Sequence, residues 1–211
     1  MALWLAGDAS GLLMASGADS DADLIERSVR GQPEAFVAVI ERHEVAVHGY
    51  LARRAGRQAA DDLLAEVWAR AFAGRAGYRV CHADAGPWLY GIARNLLASY
   101  WQATVRAGMP ELACAVTYLS DDPWDDVIDR IDSAASSRAL LPALRALPPA
   151  ERDVLLLVAW EQLTPAEAAT VLGIPPGTAR SRLHRARVAL RLALAGTHAG
   201  NPGRADDHAS S

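Results

Sequence analysis

Apolar residues return every third or fourth position through most of this chain, and the runs stop at glycine or proline. That spacing belongs to amphipathic helices rather than strands. It predicts a short helix from Asp21 to Arg30, closed by Gly31. A longer helix starts at Pro33 and stops at Gly56, with Phe36, Val39, Ile40, Val47 and Leu51 on its inner face. A third runs from Asp61 to Ala73. Leu64, Val67, Trp68 and Ala71 turn inward there, while Asp62 and Glu66 stand one turn apart on the far side. The loop over 74–86 carries Arg75, Tyr78 and Arg79, and Pro87 then opens a fourth helix. Leu89, Ile92, Leu96 and Tyr100 form the buried stripe of that helix; Trp88, Asn95, Ser99 and Gln102 line an exposed face beside it.

The pattern fades over 107–132, where Asp121, Asp122, Asp125, Asp126, Asp129 and Asp132 replace apolar periodicity, so this stretch is expected to be an acidic, flexible linker. Helical spacing returns over 133–146, interrupted at Pro142, and again from Pro149 to Trp160. Thr164-Pro165-Ala166-Glu167 is a capping box with proline at the first helical position, and Gly173 closes the short helix it starts. Pro176 opens a second helix directly, which makes the pair a helix-turn-helix. On a helical wheel Ala179, Leu183, Ala186 and Leu190 share one face. Ser181, His184 and Arg185 point the other way, with Arg180 and Arg182 on the flanks. This helix holds five arginines and no acid, a charge distribution that suits a major groove. Two ordinary amphipathic helices with a solvated cationic face are the plainer alternative. Residues 1–20 and 195–211 are expected to be disordered extensions, with Met14 as an alternative start to Met1.

Composition narrows the reading further. Over 211 residues, a length that suits one or two small domains, alanine and leucine dominate and β-branched and aromatic residues are few, which predicts an all-α protein. All 21 basic residues are arginine, yet the formal net charge is −4, so nucleic-acid binding has to be local. No apolar run reaches transmembrane length, and the N-terminus lacks the basic residues of a signal peptide. Cys81 and Cys114 are too few for a disulfide framework and read as free thiols in a reducing cytoplasm. His43, Glu44 and His48 resemble a zinc motif, but histidines five positions apart diverge by about 140° around a helix, so no metal site is expected. Trp88, Asn95, Ser99 and Gln102, next to a loop bearing Tyr78 and arginines, suit stacking and hydrogen bonding to unpaired bases. Against that stands the option that Trp88 plugs the core. Asp62 and Glu66 read first as a solvated acidic edge, with Glu66 reaching Arg70.

Two separated motifs, PWLYGIARN at 87–95 and LPPAERDVLLL…GIPPGTARSRLHRAR at 147–187, resemble bacterial RNA polymerase sigma factors of the extracytoplasmic-function group. The resemblance runs from about Asp21 to about Leu192. It implies a region 2 domain over 21–106 that binds core polymerase and the melted −10 element, and a region 4 domain over 133–194 that reads the −35 duplex. By the same resemblance Asp62 and Glu66 dock on the polymerase, and Trp88, Asn95 and Ser99 contact −10 DNA. Arg180, Ser181, Arg182, His184 and Arg185 then contact −35 DNA. The chain departs from the family in a thin basic cluster after the fourth helix, with Arg106 nearly alone, and in Ala179 where valine is frequent. Core RNA polymerase and promoter DNA are the implied partners, and an anti-sigma factor is left open. No enzyme activity, cofactor, membrane insertion or small-molecule substrate is implied. A conventional helix-turn-helix regulator that never joins polymerase is the rival reading.

Overall fold

The computed structural model describes residues 19–82, 84–107, 140 and 142–199, and within them the backbone is helical without strands. Helix α1 spans Asp21–Val29, α2 Ala35–Ala55, α3 Arg57–Gly74 and α4 Gly86–Arg106. Helix α5 spans Pro149–Ala159, α6 Pro165–Leu172 and α7 Pro176–Ala199. The acidic stretch 107–132 and Cys114 lie, apart from Ala107, outside the described residues; Cys81 is exposed.

Local chemistry explains the element boundaries. Ser20 and Asp23 close a capping box at the start of α1, the Asp23 amide donating to Ser20 Oγ at 3.2 Å and the Ser20 amide to Asp23 Oδ2 at 3.1 Å. Helices α2 and α3 meet at Gly56 alone, whose φ of 77° is open to glycine and strained for other residues. The turn reverses the chain, so Phe36 near the start of α2 meets Phe72 near the end of α3, ring centroids 5.5 Å apart. The sequence places the start of the third helix at Asp61; the backbone is already helical from Arg57, because Gly56 serves both helices at once. The backbone is helical over 142–146; whether Pro142 interrupts the helix expected over 133–146 falls on 133–139 and 141, outside the described residues. Helix α7 runs on to Ala199, beyond the expected limit at Leu194.

The N-terminal helices close around Phe36, Val39, Val47, Leu51, Val67 and Leu89, all fully buried. A second cluster joins α5, α6 and α7 through Leu144, Leu147, Val154, Ala169, Ala179, Leu183 and Ala186. The two are not insulated from each other. Leu157, Leu163, Ala168 and Val171, all from the C-terminal half, belong to the N-terminal cluster. Burying a leucine or valine is worth about 1.5–3 kcal/mol, so these side chains hold the two halves together.

One polar clasp secures the N-terminal half. Asp21, its side chain 3% exposed, accepts from Arg42 Nη1 at 2.8 Å on one oxygen. On the other it accepts from His43 Nε2 at 2.6 Å and the Ala85 amide at 2.8 Å. Asp84 brings a carboxylate oxygen to the same place, all three ligand-type groups lying within 4.8 Å. Both Asp21 oxygens are already engaged by donors, which is the geometry of a hydrogen-bonded clasp between α1, α2 and the start of α4. Burial alone would raise the Asp21 pKa, but bonds from His43, Ala85 and Arg42 hold the carboxyl well below the usual carboxylate range. A depressed folded-state pKa contributes stability above the unfolded value, about 3.9, and that stability is lost as pH falls below it. Asp21→Asn is therefore expected to lower stability by about 3 kcal/mol at pH 7. The melting temperatures of parent and variant should converge as pH drops towards 3; parallel curves down to that pH would contradict the clasp.

Candidate nucleic-acid interface

The helix-turn-helix is built by the signals that mark it in the sequence. Thr164 Oγ1 accepts the Glu167 amide at 3.3 Å and Glu167 Oε2 accepts the Thr164 amide at 2.7 Å, completing the box. Gly173 ends α6 in the left-handed region at φ 64°, and the Ile174 amide returns to the Ala169 carbonyl at 3.0 Å. A three-residue turn over 173–175 then leads to Pro176, which starts α7. Ala179, Leu183 and Ala186 are buried and Leu190 is half-buried against the C-terminal cluster. The face opposite, Arg180, Ser181, His184, Arg185 and Arg187, is exposed; Arg182 is half-buried. Ser181 Oγ donates to the Thr178 carbonyl at 2.9 Å, which leaves its lone pairs outward.

One contact of this face reaches across to another helix. Arg185 Nε donates to Glu151 Oε1 at 2.6 Å, from the first turn of α5. A bond at Nε leaves the two terminal amino groups of the guanidinium, the edge that pairs with guanine O6 and N7. The acid sits 34 positions away, beyond any local signal.

On α4, Asn95, Ser99 and Gln102 are exposed as expected. Ser99 Oγ donates back to the Asn95 carbonyl at 3.1 Å, and Arg106 donates to Gln102 Oε1 at 3.3 Å. Trp88 departs from the expected exposed stripe. It is half-buried, with its ring 5.0 Å from that of Tyr78, and packs against the core. Tyr78 is thereby fixed over the start of α4. On α3, Asp62 and Glu66 are exposed, and Glu66 accepts from Arg70 Nε at 2.8 Å. This i, i+4 pair is half in solvent and worth well under about 1 kcal/mol, so it yields readily to a competing partner. The histidines of α2 separate: His43 goes to Asp21 and His48 to Asp61 Oδ1 at 2.9 Å.

Two family models match the chain: Sigma-70 region 2 over residues 39–107 and Sigma-70, region 4 over residues 137–190. The ECF RNA polymerase sigma factor SigM of Mycobacterium tuberculosis is 31% identical over 180 residues, covering 83% of this chain and 85% of its own. The chain belongs to the ECF RNA polymerase sigma factors. BldN of Streptomyces coelicolor, another ECF RNA polymerase sigma factor, is 30% identical over 177 residues, or 80% of this chain and 65% of that protein. The match to the sigma-E factor of the same organism spans 52% of that relative. Among solved structures, CnrH in complex with the cytosolic domain of CnrY aligns at a TM-score of 0.56 and 20% identity, covering 84% of this chain and 99% of CnrH. That likeness is one of fold. In this sigma factor the region 2 match takes in most of α2 with α3 and α4, and the region 4 match ends on α7 at Leu190. No described helix is long and apolar enough to cross a membrane.

Proposed function

We propose that this sigma factor joins core RNA polymerase and selects promoters by reading a −35 duplex with α7 and a melted −10 element with α4. Residues 21–106 form the region 2 module and 133–194 the region 4 module, joined by the acidic stretch 107–132. The observation that carries this reading is the division of α7: its apolar stripe is spent on the core while its arginines face outward. Arg180, Ser181, Arg182, His184 and Arg185 supply base and phosphate contacts to the −35 duplex, each good bidentate arginine contributing about 1–3 kcal/mol of discrimination. On α4, Asn95 and Ser99 meet unpaired −10 bases, and the Tyr78–Trp88 pair is an aromatic wall against which an extruded base can rest. The polymerase supplies the chemistry, so this chain is not itself an enzyme, and it acts in the cytoplasm.

Asp62 and Glu66 on α3 form the docking edge for the polymerase. Replacing both with arginine should lower core affinity at least a hundredfold with helical content unchanged, as read by gel shift of the core complex and circular dichroism. Unaltered affinity would return this face to plain solvation. Run-off transcription with core polymerase on promoter fragments tests the function as a whole: specific starts are expected only when the protein is added.

A further inference from the structure

Glu151 is an acid held by packed backbone directly behind the outward face of α7. Its own position is fixed first. Pro149 opens α5, and the Glu151 and Arg152 amides both return to the Pro148 carbonyl, at 2.9 and 3.0 Å. The neighbouring Arg152 is buried, and its Nη1 donates to the Arg145 carbonyl at 3.3 Å and the Leu144 carbonyl at 3.5 Å. That ties the first turn of α5 to the chain before it. Val154 then packs with Ala179, Leu183 and Ala186 in one buried cluster, which sets α5 against α7. The Glu151 side chain is 14% exposed, and its Oε1 accepts Arg185 Nε at 2.6 Å. As the acid in the first turn of α5 it is also favoured by the helix dipole. Among the described residues, Arg185 is the one arginine of α7 held in an ion pair.

We infer that Glu151 is a positioning residue for −35 recognition: it holds Arg185 for a base edge and away from the phosphates. The inference rests on the promoter-reading function above and adds to it the group that sets discrimination at one base pair. An exposed arginine facing DNA has two kinds of partner. Phosphate oxygens attract it wherever it lands and carry no sequence information, whereas a guanine edge accepts one orientation of its planar fork. A free side chain divides itself between them. Glu151 removes that freedom in three ways. It occupies the Nε–H, a donor otherwise open to a sidelong phosphate contact. It fixes the guanidinium plane relative to α7 while the terminal amino edge stays open to O6 and N7 of a guanine. Its negative charge offsets that of Arg185 and repels a phosphate approaching the same place, so the undirected attraction falls while the directional hydrogen bonds remain. Arg180 and Arg187 are exposed on the same side without such an anchor, and they are free to follow the backbone. The pair adds little stability, since its arginine is 56% exposed. What it supplies is a base-reading side chain ordered before DNA arrives.

The test uses polymerase complexes of the full chain on a duplex promoter fragment from which the parent starts transcripts. Each G·C pair of its −35 element is changed in turn to A·T, and affinity for every fragment is measured across a salt series. In the parent one of these changes should cost about tenfold, and Arg185→Ala should reduce that cost to about twofold or less. Glu151→Ala should reduce it to about threefold at that position alone, with the unchanged fragment bound within about threefold of the parent. Its salt dependence should also steepen, by up to about 0.9 in the slope of log affinity against log salt, as the released Arg185 turns to phosphate. Glu151→Gln keeps an oxygen for the Nε–H and should keep most of the discrimination, about fivefold or more. Melting curves of the free variants check that the fold is kept. Parent-like discrimination in Glu151→Ala, or an equal loss on all fragments with their ratio unchanged, overturns the inference. So does a Glu151→Gln variant that discriminates no better than Glu151→Ala. If Arg185→Ala leaves every base preference as in the parent, the −35 reading by Arg185 fails and the inference with it. If the Glu151 variants alone behave so, that reading stands and only the inference falls.

Discussion

Arg180→Ala combined with Arg185→Ala should weaken binding of the polymerase complex to duplex promoter about thirtyfold or more, from two contacts at about 1 kcal/mol or above each. The loss should be greatest at low salt. Each arginine that neutralises a phosphate contributes about 0.9 to the slope of log affinity against log salt, so the double variant should show a shallower dependence and a deficit that narrows as salt rises. The fold should not share the loss, because both side chains project away from Ala179, Leu183 and Ala186. The Arg185–Glu151 bond has an arginine more than half exposed, an arrangement generally worth less than about 1 kcal/mol. Filter binding across a salt series, with a melting curve on the free protein, measures both quantities. Parent-like affinity at every salt concentration would exclude α7 as the reading helix.

Asn95→Ala should separate promoter opening from promoter binding. Asn95 is exposed on α4, and its replacement opens no cavity. Closed-complex affinity is expected to stay within about twofold of the parent. Strand opening, read from permanganate reactivity of unpaired thymines, should fall about tenfold for the loss of one hydrogen-bonded base contact, about 1.4 kcal/mol. A template with a pre-melted −10 bubble should restore opening only partly, because the missing contact is to the base itself. If the variant matches the parent on both templates, the Asn95–Ser99 face has no part in the −10 contact. Trp88 is a poorer probe than its position suggests: half-buried against Tyr78, it would lose packing as well as any contact with a base.

The helices and their punctuation were legible because the forces that set them act within one or two turns. The capping box at Thr164, the left-handed Gly173 and the stop at Gly56 each need only neighbours three or four residues away. The same holds for the apolar stripe of α7 and for the outward placement of its arginines. Errors fell where a local rule had a competitor. A Gly-Thr-His run reads as a tail, yet a helix already nucleated by the packed part of α7 propagates through it to Ala199. The sequence leaves Trp88 open between surface and core, and packing against Tyr78 makes it half-buried.

By itself the sequence determined an all-α chain, a helix-turn-helix with one cationic face, and a resemblance to sigma factors that the family comparisons bear out. The Glu66–Arg70 pair, one turn apart, was legible in the sequence, but only the tertiary structure decided which distant acids hold which arginines. Glu151 meets Arg185 across 34 positions, and Glu161 meets Arg53 and Arg54 across more than 100. One trace of the second contact was present in the sequence. Helix α4 carries apolar residues at Tyr90 and Leu97 as well as along the Leu89–Leu96 stripe, a wider face than one partner needs. What covers that face could not be read from periodicity. A helical pattern records how much surface must leave water, whereas the choice of covering surface depends on shape and charge brought together by the whole fold.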